Sequence, residues 1–157
     1  LLIPLGFLLM LFLLSRQFDL ADINKYKKTP AYYQNFAAFI VGQKSVSAYQ
    51  AFFDSDVPRD YEVARYLKNL PDKNKGVFIW GNSAQLYVLS GTLPPGRYAV
   101  AYHIAGDKAL SETEDVLQKA KPKYIVLMHD ASNYPFSLLG YQPKMLIRDT
   151  AIYERTD

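Results

Sequence analysis

The chain holds two histidines, His103 and His129, and each follows a short run rich in β-branched and aromatic residues, 98–102 and 124–128. Asp130 stands directly after His129, and Gly81-Asn82-Ser83 closes a third such run, 77–80. Serine, histidine and aspartate are the parts of an acyl-transfer triad, in which Ser83 attacks, His103 or His129 takes its proton and Asp130 orients the imidazole. The elbow that presents such a serine reads Gly-x-Ser-x-Gly, and Gln85 stands where its second glycine belongs. A metal centre built from His103, His129 and Asp130 lacks any ligand pair at helical spacing. The plainer expectation is that Asn82 and Ser83 cap a helix while the histidines cover strand ends. A third possibility is that Asn82, Ser83, His103, His129 and Asp130 form a cluster that binds a ligand without catalysing. No residue is assigned a catalytic or metal-binding role, and no cofactor is expected.

Other chemistries have less to stand on. Gly81 followed by Gly91 is not the glycine spacing that cradles a dinucleotide, and no phosphate-binding loop of the Walker type exists. Arg97, after the turn Pro94-Pro95-Gly96, carries a fork suited to phosphate or carboxylate, but a lone surface arginine is ordinarily solvated. The absence of cysteine excludes disulfides, thiolate metal sites and cysteine nucleophiles. A net charge of +3, with basic and acidic residues interspersed, gives no basic stripe for nucleic acid.

The elements that must position these residues alternate along the chain. Val63, Leu67 and Leu70 repeat at helical spacing after Asp56 and Pro58 and stop before Pro71. The stretch 76–91 then reads as strand, tight turn and helix, the opening unit of an α/β layer. A second strand is expected over 98–102, with 103–108 as its exit loop. Ser111-Glu112-Thr113-Glu114 forms a capping box that opens a helix ending at Pro122. The third strand is 124–128, and 145–147 with 151–153 form a closing hairpin. The order predicts a small three-layer α/β domain, its sheet mostly parallel with an antiparallel C-terminal edge. Parallel strands would bring the three exit loops, with both histidines, to one edge, where open α/β sheets place their sites.

Upstream, residues 1–14 are apolar without a charge. Fourteen helical residues cover about 21 Å of a hydrocarbon core about 30 Å thick, so 1–20 reads as a truncated last transmembrane helix of a longer protein. Arg16, Lys25, Lys27 and Lys28 after it are of the kind that marks a cytoplasmic side. Residues 21–55 read as a helical juxtamembrane connector, with Tyr32, Phe36, Phe39 and Ile40 on one helical face ending at Gly42, and Ser45 capping a second helix that carries Tyr49, Phe52 and Phe53. These aromatics either sit at lipid headgroup level or pack a core. The domain proper spans 56–157.

Several runs carry a resemblance: Arg59-Asp60-Tyr61-Glu62-Val63-Ala64-Arg65-Tyr66-Leu67, Val77-Phe78-Ile79-Trp80-Gly81-Asn82-Ser83, Leu86-Tyr87-Val88-Leu89-Ser90-Gly91 and Pro94-Pro95-Gly96-Arg97-Tyr98. Together with Asn35-Phe36, Tyr49 and Phe52-Phe53, they resemble the C-terminal soluble part of multi-spanning, lipid-dependent glycosyltransferases similar to protein mannosyltransferases and aminoarabinose transferases. The resemblance implies a parent enzyme that moves a sugar from a polyprenyl-phosphate donor to a lipid, glycan or protein acceptor. In such enzymes the catalytic acid lies in the first extracytoplasmic loop, and no position here matches it, so this stretch is expected to be non-catalytic. It also implies an extracytoplasmic domain, periplasmic or outside, against the local basic residues. The expected partners are the bilayer and a lipid-linked sugar or acceptor, not nucleic acid. The alternative is a membrane-anchored binding or scaffolding domain without enzymatic activity.

Overall fold

The computed structural model describes residues 2–17, 28–105, 107–129 and 133–156. Asp130, Gly106, Lys25 and Lys27 therefore lie outside the described residues. The chain divides into two compact units, Leu1–Asp54 and Ser55–Asp157.

In the first unit, the apolar stretch forms helix α1, Leu2–Gln17, of 16 residues. At 1.5 Å per residue it is about 24 Å long, and among the described residues no helix is long and apolar enough to cross a membrane. Helix α2, Thr29–Ile40, begins with a proline in its first turn and ends at Gly42, whose φ of 77° lets its N–H turn back to the Phe39 carbonyl at 3.1 Å. Helix α3, Val46–Ala51, is capped by Ser45 Oγ, which accepts from Ala48 N–H at 3.1 Å. The connector aromatics pair with one another, Phe39 stacking on Tyr49 at 4.6 Å and Tyr32 meeting both Phe52 and Phe53. Asn35 is buried between these helices, donating to the Tyr49 carbonyl and accepting from Lys44 Nζ. Even so, Tyr32, Phe36, Phe52 and Phe53 stay exposed, so the rings both pack and face outward.

The second unit is a small α/β domain with a four-stranded mixed sheet in the order β1-β2-β4-β3. Strands β1, Val77–Trp80, and β2, Tyr124–Leu127, are parallel; β3, Tyr141–Ile147, and β4, Thr150–Arg155, form an antiparallel hairpin joined to β2 through β4. The closing hairpin thus forms, but the sheet is not mostly parallel: one of its pairs is. Alternation along each strand feeds two cores. Val77, Ile79, Tyr124, Val126 and Ile152 face α4, Val57–Lys68, and α5, Gln85–Ser90. Phe78, Trp80 and Ile125 face α6, Ala101–Ile104, and α7, Asp107–Ala120, together with the loop around Tyr134 and Phe136.

Residues 98–102 are not a strand. Ala101 and Tyr102 open α6, and Ile104, wholly buried, anchors it to the second core. The β-forming residues lose to tertiary packing because the outer edge of β1 is already satisfied. The Tyr87 hydroxyl accepts from Ile79 N–H at 2.9 Å, and the Gly81 carbonyl accepts from Ala101 N–H at 2.8 Å. A side chain and one backbone bond thus occupy part of the edge where a ladder would run. Helix α7 begins four residues ahead of the expected cap at Ser111. Ala109 and Thr113 are buried with Leu110 and Leu117 packed beside them, so the apolar stripe extends the helix backward past the capping signal.

Candidate functional site

The C-terminal ends of β1 and β2 lie side by side, with Trp80 opposite Leu127 and Met128 N–H donating to the Trp80 carbonyl at 3.0 Å. Because β4 runs antiparallel to β2, with Leu127 opposite Ala151, the Arg148-Asp149 turn of the hairpin falls at this same edge. Gly81 lets the first exit pass close to the second. A Cβ there would sit 2.6 Å from Met128 Sδ and 2.8 Å from its Cβ. Gly81→Ala should therefore cost about 1–3 kcal/mol through overpacking, read from the denaturation midpoint; an unchanged midpoint would show that Met128 yields freely.

Of the residues singled out from the sequence, Asn82, Ser83, His103 and His129 are described, and no hydrogen bond or ion pair makes a triad of them. Asn82 is exposed, and its Oδ1 accepts from Tyr102 N–H at 3.2 Å, tying the exit of β1 to α6. It does not cap α5, which is preceded by Ala84 and has no side-chain cap; Ser83 contributes its carbonyl, accepting from Leu86 N–H at 3.1 Å. The expected Asn82 and Ser83 cap is corrected accordingly: the asparagine serves a tertiary contact and the serine a backbone turn. His103 lies exposed on α6 against the Tyr102 ring, 4.0 Å between centroids. His129 is exposed after β2, its Nδ1 3.9 Å from Asp149 Oδ2. Asp130 is outside the described residues. Among the described residues no hydrogen bond or ion pair joins Ser83 to either histidine, and no three acidic, histidine or cysteine side chains converge as metal ligands.

The strongest polar constellation at the edge was not anticipated. Arg59 and Asp60 are 4% and 2% exposed at the start of α4. Arg59 donates through Nε and Nη2 to Asp60 Oδ1, both at 3.1 Å, and lies 3.3 Å from Asp56 and 3.5 Å from Asp149. Gln85 of α5 donates to the other Asp60 oxygen at 2.8 Å. Beside them Arg148 forks onto Glu62 at 2.7 and 2.9 Å. Burial works against the Arg59 charge, but hydrogen bonding to Asp60 and the charges of Asp60, Asp56 and Asp149 outweigh it and hold the guanidinium above its usual range. The sequence did contain a signal. Asp60, Val63, Ala64 and Leu67 share one helical face, so a carboxylate sits on the stripe that enters the core. With Oδ1 held by Arg59 and Oδ2 by Gln85, Asp60 fixes α4 to α5. Asp149 joins the hairpin turn to that lock through Arg59 and presents its other oxygen to His129.

No family model, curated protein or solved structure matches the chain.

Proposed function

We propose that the chain is a membrane-attached, non-catalytic part of a glycosyltransferase that uses a polyprenyl-phosphate sugar, with the edge around Asn82, His103 and His129 facing the acceptor. The observation that carries the membrane attachment is α1. Its consecutive residues Phe7, Leu8, Leu9, Met10, Leu11, Phe12, Leu13 and Leu14 are each about 40–60% exposed; successive positions sweep the whole circumference of a helix, so every side demands an apolar environment. Outward-facing Tyr32, Tyr33, Phe36 and Phe53 in the same unit suit the headgroup layer. The sugar-transfer part of the reading rests on the resemblance of the runs around Arg59, Trp80, Tyr87 and Arg97. The non-catalytic part is favoured by the separation of Ser83 from the histidines in bonding. The domain is placed outside the cytoplasm by the resemblance alone.

Two measurements test this. A reporter active only outside the cytoplasm, fused after Asp157, should be active; activity confined to a cytoplasmic reporter would overturn the placement. In membranes carrying the full enzyme, His129→Ala should slow sugar transfer by about tenfold or less, chiefly through KM, since losing one hydrogen bond costs about 0.5–1.5 kcal/mol. A loss of about a thousandfold in kcat with an unchanged melting temperature is the signature of an acid or base and would overturn the non-catalytic reading. If deleting 55–157 left transfer intact, the acceptor-facing role of this edge would be overturned.

A further inference from the structure

On the face opposite α4, at the other end of the sheet from the edge described above, a cavity of about 470 Å³ opens between α7, the loop 134–140 and the ends of β3 and β4. That is within the range of small-molecule sites, about 300–1,000 Å³. Its floor is Leu117, Ile125, Phe136 and the rings of Tyr134 and Tyr141. Tyr134 makes edge contacts with Trp80 and Phe136, while its hydroxyl is buried without a hydrogen-bond partner. Burial, with Tyr141 beside it, pushes this phenol up, so it remains a neutral O–H.

The rim is polarised. Glu114 borders the cavity from α7 and Lys121 from just past its end, and the helical rise between them puts their backbones about 10 Å apart. Arg155 joins Lys121 at the basic end, its guanidinium donating to the Lys121 carbonyl. Lys121 also occupies a left-handed conformation, φ 42°, directly after α7. Glycine is the ordinary occupant of such a position, so the chain accepts backbone strain and retains a cation at the cavity mouth.

From this arrangement we infer that the cavity binds a small amphipathic anion: an apolar or aromatic body over Leu117, Ile125 and Phe136, and the negative end toward Lys121 and Arg155. This site is independent of the acceptor-facing edge, and neither reading requires the other.

The test uses the full chain in phosphatidylcholine nanodiscs and fluorine NMR titrations with 3-(4-fluorophenyl)propionate and with the corresponding alcohol, empty discs serving as blanks. The acid should bind saturably and at least fivefold more tightly than the alcohol. Leu117→Trp, which fills the cavity, and Lys121→Glu, which reverses the mouth, should each weaken the acid tenfold or more. Lys121→Glu alters an exposed residue, so it keeps the test decisive if the tryptophan disturbs folding. Equal binding of acid and alcohol, or acid binding indifferent to Lys121→Glu, would overturn the inference.

Discussion

Replacing Asp60 with alanine should destabilise the Ser55–Asp157 unit by about 3–5 kcal/mol, the typical result of removing one partner from a buried ion pair. Arg59 would remain 4% exposed with its nearest carboxylate gone and only Asp56 and Asp149, at 3.3 and 3.5 Å, in partial compensation. Gln85 would lose its acceptor as well. A surface pair at similar distances contributes about 0–1 kcal/mol, so the two situations are well separated. Urea unfolding followed by fluorescence of Trp80, the sole tryptophan and a buried one, reports on this unit. The double variant Arg59→Met with Asp60→Leu should recover much of the loss, because two apolar side chains can replace a buried pair at little cost. A loss below about 1 kcal/mol for Asp60→Ala would show that the lock adds little to stability.

Above about pH 10, the usual range of an unfolded phenol, the same unit should lose stability steeply. Tyr87 is 4% exposed, and burial pushes its phenol well up, the hydrogen bond from Ile79 N–H pulling the other way. The group is neutral in the fold and ionises first in the unfolded chain. Its contribution is therefore complete below about pH 10 and decays as pH rises toward the folded value, by about 1.4 kcal/mol per pH unit for one such group. Tyr87→Phe should flatten that slope while costing about 1–3 kcal/mol at neutral pH, since Ile79 N–H loses its buried acceptor. Unfolding free energies from pH 8 to 12 for both proteins decide it. Identical slopes would assign the alkaline loss to other groups.

Periodicity made much of the domain legible. Val77–Trp80 and Tyr124–Leu127 are bounded apolar runs, Arg148-Asp149 breaks the last strands into a hairpin, and Val63, Leu67 and Leu70 mark α4. Strand order was not legible, because alternation says which face a residue takes and nothing about which strand lies beside it. Residues 98–102 misled for a related reason: Tyr98, Val100 and Tyr102 alternate as a strand would, while the decisive bonds, from Ala101 to Gly81 and from Tyr102 to Asn82, join distant positions. At the edge, His129 follows β2 as its run implied and lies 3.9 Å from Asp149, far along the chain, while His103 stands on α6 and not at the exit of a strand. Arg59 and Asp60 read as surface charges on a helix until the hairpin turn and α5 close over them.

The arrangement of the strands also dictates the timing of assembly. The β3–β4 hairpin is closed by two residues, so its contacts are local and form on the microsecond scale. The parallel pair is different: Trp80 meets Leu127 only after α5, α6 and α7 have been gathered into the crossover between them. Loop closure must be met before that pairing stabilises anything, so the hairpin with β2 can offer a template onto which β1 docks late. The edge that holds Asn82, His129 and Asp149 would then be the last part of the domain to take shape, and the first to open.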